Sequence, residues 1–217
     1  MVLLFPDRPA QRLTRCLAGQ ICFGLGISMF VTARLGLAPW DVFHQGIAVR
    51  TGLRLGWVIE LTGLLLLLLW IPLRQRPGVG TIMNAVVIGL VVDAIGNSLP
   101  STDRLVPRLA YVVGAVVVIA IGSGLYIGAG LGAGPRDGIM VGLAGRGHSV
   151  RLVRTMLEAL VMAAGIALGG HFGIGTVAFV IFIGPLVHLF IPRLAIKPVT
   201  KHSDIPNISC PASTEPA

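Results

Sequence analysis

Charge is scarce in this chain: only 12 % of its 217 residues are charged, and the acids number 9. An average soluble domain carries about 25 %, so most of this sequence is not built to meet water. Cysteine is scarce as well, with 3 residues. Cys16 and Cys22 fall on different faces of one helical run and Cys210 lies near the C-terminal end, so none has metal-ligand or redox-pair spacing. There is no Walker A loop, no His-Glu-x-x-His and no Gly-x-Ser-x-Gly elbow. ATP hydrolysis, zinc proteolysis and elbow-type hydrolysis by this chain therefore have no support, and we expect no catalytic set, no cofactor and no resident metal. Met1 to Arg15 is basic, but no small-residue cleavage site follows the apolar run, so no removable signal peptide is expected.

What is abundant is apolar sequence. Hydrophobic residues make up 54 % of the chain, and the mean hydropathy is +0.86. Leu61 to Trp70 is almost unbroken Leu, and Val112 to Ile121 is Val, Ala and Ile with one Gly. Runs of this length match a bilayer rather than a soluble core, and an all-α membrane protein is the expected fold class. The 29 glycines agree, because helices in lipid associate by close approach at small residues. A formal charge of +8 would suggest nucleic acid in a soluble protein; here it reads as anchoring on the cytoplasmic side, with no nucleic-acid partner.

The chain is also written twice. Leu35-Gly36-Leu37-Ala38-Pro39-Trp40-Asp41 returns as Leu131-Gly132-Ala133-Gly134-Pro135-Arg136-Asp137, and Gly78-Val79-Gly80-Thr81 returns as Gly173-Ile174-Gly175-Thr176. Glu60 matches Glu158, Gly89 matches Gly184, and Asp93 matches His188. Six crossings are expected, over 14–34, 56–73, 79–99, 109–130, 151–169 and 174–192. Three crossings per copy turn the second copy over in the membrane, the inverted-topology duplication found in many secondary transporters. The segments Pro39 to Gly52 and Pro135 to Gly145 are too short and polar to cross. Each begins with Pro and carries Asp two residues later, a good helix start, so we place them as re-entrant or interfacial half-helices. The resulting domains are a cytoplasmic segment 1–13, one membrane repeat over 14–100, a second over 107–192, and a disordered cytoplasmic tail over 197–217. The excess of Lys and Arg puts both termini in the cytoplasm.

Ionisable groups inside hydrocarbon are costly, so each invites a functional reading beside a structural one. Glu60 and Glu158 are candidates for binding a solute or ion or for coupling protons; a structural ion pair of Glu158 with Arg154 is the alternative. Asp93 and His188 could form a relay or gate, or simply meet water near the ends of their crossings. Asp41 and Asp137 offset the partial positive charge of a helix start, or they gate a site at the two half-helices together with Arg136 and His44. The stripes Cys16, Gln20, Gly24, Ser28 and Thr32, and Gly114, Gly122, Tyr126 and Gly130, read as ridges where the copies meet. Asn84 reads as glue between helices, and Trp40, Trp57 and Trp70 as interfacial anchors.

The Ala38-Pro39-Trp40-Asp41 box, the Gly-x-Gly-Thr segments followed by Gly89 and Asp93, and the Gly-Pro-Arg-Asp-Gly run at 134–138 resemble the YitT/YczE family of bacterial integral membrane proteins. The likeness is to its short YczE-type branch and covers roughly residues 12–192. It implies a bacterial cytoplasmic-membrane location, and it implies no substrate. The leading expectation is a small secondary transporter or permease for a small solute or ion. The alternative is a non-transporting scaffold or regulator of another membrane system, with an intramembrane enzyme third. The expected partners are the lipid bilayer, that solute or ion, and, if the protein is not a monomer, further copies of the same chain.

Overall fold

A computed structural model describes residues 7–96, 98–144, 146–147 and 149–196. The expected tail over 197–217 and Asn97 lie outside the described residues, as do the first six residues. The described residues form eight α-helices: α1 Pro9–Ala33, α2 Pro39–Thr51, α3 Leu55–Leu73, α4 Val79–Ile95, α5 Leu105–Gly128, α6 Pro135–Ala144, α7 Val150–Ala167 and α8 Ile174–Leu194. Long, short, long and long helices thus occur twice in the same order. Four helices, α1, α3, α5 and α8, are long and apolar enough to cross a bilayer, and α4 is a shorter apolar helix. The fourth expected crossing thus begins earlier, at Leu105, and the first at Pro9.

The local signals explain where the short helices start and stop. Pro39 takes the first helical turn of α2, where its missing N–H is no loss. Asp41 follows in that turn, and Gly52 closes the helix at φ 73°. Pro135 and Asp137 open α6 in the same way. Rows of Leu on α3 (Leu61, Leu64, Leu65, Leu68 and Leu69) and apolar residues on α8 (Val177, Val180, Ile181 and Phe182) are exposed. An apolar surface of that extent is what lipid tails cover, and water would oppose it.

The centre of the fold is the pairing of α1 with α5. A β-carbon on Gly19 would come 2.6 Å from Gly122 O, and one on Gly26 would come 3.1 Å from Ala115 O. Residue numbers rise on one helix as they fall on the other, so the two run antiparallel. Their ends are clamped reciprocally. Arg12 Nη1, near the start of α1, donates to Ala129 O at the end of α5 at 2.8 Å. Arg108 Nε, near the start of α5, donates to Ala33 O at the end of α1 at 2.7 Å. Each guanidinium satisfies a carbonyl that the partner helix's last turn leaves orphaned.

The loops before the short helices repeat this reciprocity. Gly175 N–H donates to Leu35 O at 2.7 Å, and Gly80 N–H donates to Leu131 O at 3.0 Å. Gly36 and Gly132 stand at φ 109° and 125°. A side chain on the first would come 2.5 Å from Gly173 N, and on the second 2.6 Å from Thr81 Oγ1. Both the backbone angle and the contact demand glycine there.

The ridge of small and polar residues on α1, expected where the copies meet, does so only in part. Cys16 packs with Tyr126 and Ala129 at the end of α5, whereas Gln20 Nε2 donates to Gly80 O at 3.1 Å and Gly24 lies against Val91 of α4. The ridge on α5 does meet α1, with Gly122 against Gly19, and Gly26 approaches α5 at Ala115 and Ile119. Trp70 is likewise no lipid anchor. It is buried, its Nε1 donates to Pro135 O at 2.9 Å, and its ring covers Gly138. Trp57, which is 57 % exposed, keeps the expected outward position.

Candidate functional site

The first turns of α2 and α6 meet across a central cavity of about 160 Å³. Pro39, Trp40 and Asp41 line it from one side, and Gly134, Arg136 and Asp137 from the other. The helix starts, with Ala38, therefore bring seven of the repeated box residues together, although the two boxes are far apart in sequence. Helices α1, α4 and α5 form the back wall with Phe23, Asn84, Ser123 and Tyr126. Helices α7 and α8 form the front wall with Arg154, Glu158, Phe179 and Ile183.

Each carboxylate at this cavity is held differently. Asp41 is 1 % exposed; its Oδ1 lies 3.3 Å from His44 Nδ1 and 3.7 Å from Arg136 Nη2. His44 follows one turn later on α2 and braces Asp41 from behind, which is why it does not itself line the central cavity. The Arg136 guanidinium also stacks over the Trp40 ring, 5.2 Å from its centroid. Glu158 Oε1 accepts from Arg154 Nε at 3.0 Å, one turn apart on α7. Asp137 Oδ2 accepts from the Tyr126 hydroxyl at 2.9 Å, and among the described residues it makes no ion pair. A β-carbon placed on Gly134 would lie 3.3 Å from Asp137 Oδ2, 3.4 Å from Tyr126 OH and 3.5 Å from Asn84 Oδ1. Three oxygens thus converge on a space that only glycine leaves open.

Tyr126 matches Phe30 and Asn84 matches Phe179, each counterpart lying in the other copy. The two phenylalanine rings pack edge to face, with centroids 5.9 Å apart. At the counterpart positions this apolar aromatic contact is replaced by a polar pair beside Asp137. Sequence reading gave Tyr126 to a packing ridge and Asn84 to helix glue. The signal that points to them is this substitution of polar for aromatic at matched positions.

The remaining candidates lie elsewhere. Glu60 and Asp93 sit in the seam between α3 and α4. Gly56 N–H donates to Asp93 Oδ1 at 2.8 Å, and Glu60 packs against Gly89. Gly63 meets Ala85 one turn further along, so this seam is closed. The matching seam between α7 and α8 is open. Gly184, the counterpart of Gly89, has no atom of the described residues within 4 Å of where a β-carbon would stand, apart from its chain neighbours and its own helix backbone, and His188 is exposed. The residue matching Gly56 is Arg154, which is turned to Glu158. Glu60 and Glu158 therefore occupy unlike surroundings, one in a shut seam and the other at the wall of the cavity. Among the described residues no group of three or more His, Cys, Asp or Glu side chains is placed to hold a metal ion.

Comparison with known proteins agrees with this picture at the level of the family. A protein of Haemophilus influenzae named only as uncharacterized is 39 % identical over 176 residues, 81 % of this chain and 81 % of its own length. The uncharacterized membrane protein YczE of Bacillus subtilis is 32 % identical over 84 % of this chain and 86 % of its own. The uncharacterized protein YyaS of the same organism is 28 % identical over 80 % of this chain and 89 % of its own. No solved structure matches. Residues 10–192, the span that holds every helix but Pro9 of α1 and the last two residues of α8, match the family of unknown function DUF6198, and this all-helical chain with its membrane-length apolar helices belongs to that family.

Proposed function

We propose that the chain is a small secondary transporter, built as two inverted repeats of three crossings and one half-helix, that moves a small solute or ion through the central cavity. In this reading α4 and α7 cross with the four longer helices, and both termini face the cytoplasm of a bacterial cell. Of the charges on α7, Arg154 and Glu158 pair with each other at the wall of the cavity, which lowers the cost of a crossing there.

The observation that carries the proposal is the unequal state of two matched seams. Around one cavity, α3 and α4 are zipped together at Gly56, Gly63 and Gly89, while α7 and α8 stand apart at Gly184. Repeats of one design in two shapes are what alternating access requires: exchange of the two shapes would shut one mouth and open the other. The antiparallel pairing of α1 with α5 and its reciprocal arginine clamps support a twofold axis across those helices. Gly184 is followed by Pro185 inside α8. Proline removes a helical hydrogen bond at that point, so the free half of the open helix has a place to bend.

The test is two-sided access to the cavity. In a cysteine-free background, Ser123→Cys should react with a membrane-impermeant maleimide from either side of oriented vesicles, because the protein visits both shapes. A scaffold or regulator needs no second shape, and labelling from one side under every condition would favour that rival.

A further inference from the structure

We infer that the central cavity takes a small zwitterion, about the size of an α-amino acid, with its ammonium group at Asp137 and its acidic group at Arg136 and the Trp40 indole N–H. The argument takes the cavity to be the solute site of the transporter reading.

The balance of charge comes first. Asp41, Asp137 and Glu158 face Arg136 and Arg154 around the space, an excess of one negative charge. Two helix starts also point at it, and each adds about half a positive charge. The sum is close to neutral, which disfavours a bare anion or a bare cation. The charges are nonetheless separated, and that suits a solute carrying both signs.

The unused hydrogen-bonding capacity then assigns the ends. Trp40 lines the cavity and is 8 % exposed, yet among the described residues its Nε1–H has no hydrogen-bond partner. A buried indole donor without an acceptor is costly, by about 1–3 kcal/mol, and a ligand acceptor would remove that cost. Arg136 stacks on the same ring and reaches Asp41 only at 3.7 Å, so most of its donors are left for a carboxylate-like group. In the first turn of α2 Pro39 has no N–H, and the Asp41 and Val42 amides donate to Ala38 O, so the Trp40 amide is the one that turn offers to the same end of the ligand. On the other side, Asp137 has one neutral donor, Tyr126 OH, and the Asn84 oxygen stands near it across the space left by Gly134. Oxygens so arranged suit an ammonium group. A volume of about 160 Å³, at roughly 10–15 Å³ for a water, admits a solute of several heavy atoms. Phe23, Ile119 and Ile183 offer an apolar wall for a short side chain.

The experiment is thermal unfolding of the purified full chain in detergent with matched probes. L-alanine is compared with ethylamine and propionate, and L-valine with isobutylamine and isovalerate. The expected result is a rise of a few degrees with the amino acids at millimolar concentration and none with the amines or the acids. Asp137→Asn and Arg136→Gln should each remove that rise. The probe comparison is made on the natural sequence, so it stands even where a variant fails to fold. A rise with the amines alone, with the acids alone, or with no probe overturns the inference. Uptake of the same amino acids into liposomes is measured separately. A rise without uptake, together with one-sided labelling of Ser123→Cys, would contradict the transporter reading and leave the binding site standing.

Discussion

Glu60 lies against Gly89 so closely that a β-carbon on the glycine would come 2.5 Å from the glutamate Cγ. Its counterpart Glu158 has turned to Arg154 instead, and the matching Gly184 has empty space around it. The two glycines are the same residue in the repeat and do opposite things in this shape of the protein.

Alanine substitutions should therefore separate them. Gly89→Ala forces the α3–α4 seam apart and should cost about 1–3 kcal/mol, the usual range for overpacking. Gly184→Ala meets nothing and should gain up to about 1 kcal/mol from helix propensity, while slowing closure of α7 on α8. Chemical denaturation in detergent gives both numbers, and equal losses at the two sites would contradict the seam assignment.

The arginine clamps give a second matched pair. Arg12→Gln and Arg108→Gln should each destabilise the protein by about 1.5–3 kcal/mol, the worth of hydrogen bonds from a charged donor. Because the clamps sit at opposite ends of the α1–α5 pair, their effects should add. A double variant no less stable than either single one would show that they are not independent.

Trp70 should matter where Trp57 does not. Trp70→Phe loses the hydrogen bond to Pro135 O, a loss of about 1 kcal/mol, and should loosen the start of α6. Trp57→Phe on the exposed face of α3 should stay within about 0.5 kcal/mol. Hydrogen exchange at the α6 amides is the direct readout; unchanged protection in Trp70→Phe would leave the strut without a role.

Sidedness can be read at the two helix starts. Asp7 and Asp103 precede α1 and α5, the antiparallel pair at the centre of the fold. Single cysteines at Asp7 and Asp103 should be labelled from opposite faces of the membrane. Labelling from one common face would remove the inverted arrangement.

Much of this was legible because repeated residues mark local backbone needs. Pro39 with Asp41, and Pro135 with Asp137, opened helices at the positions expected, since a helix start is set by a few adjacent residues. The Arg154–Glu158 pair followed from spacing on a single helix. The cavity was not legible, because its walls come from seven helices and depend on how those helices pack. Spacing did not single out Gly19 and Gly26 as the residues of α1 that approach α5, because small residues lie on more than one face of that helix. Trp70 was misread because aromatic residues near a crossing's end serve equally as lipid anchors or as struts, and only the arrival of α6 decides. Arg12 and Arg108 were overlooked although they match in the two copies; they look like ordinary flanking charges until the far helix ends are seen to reach them.

The most direct measurement is disulfide trapping of the two seams in a chain freed of its native cysteines. Gly63→Cys with Ala85→Cys joins the seam that is shut here, where a β-carbon on Gly63 would lie 3.3 Å from Ala85 Cβ; disulfides span about 3.5–4.5 Å between β-carbons. Val161→Cys with Val180→Cys is the matched pair across the open seam. Each pair should cross-link on its own, and locking the first should prevent the second. Both bonds forming together in one molecule, or the second never forming under any condition, would contradict the exchange of shapes on which the account rests.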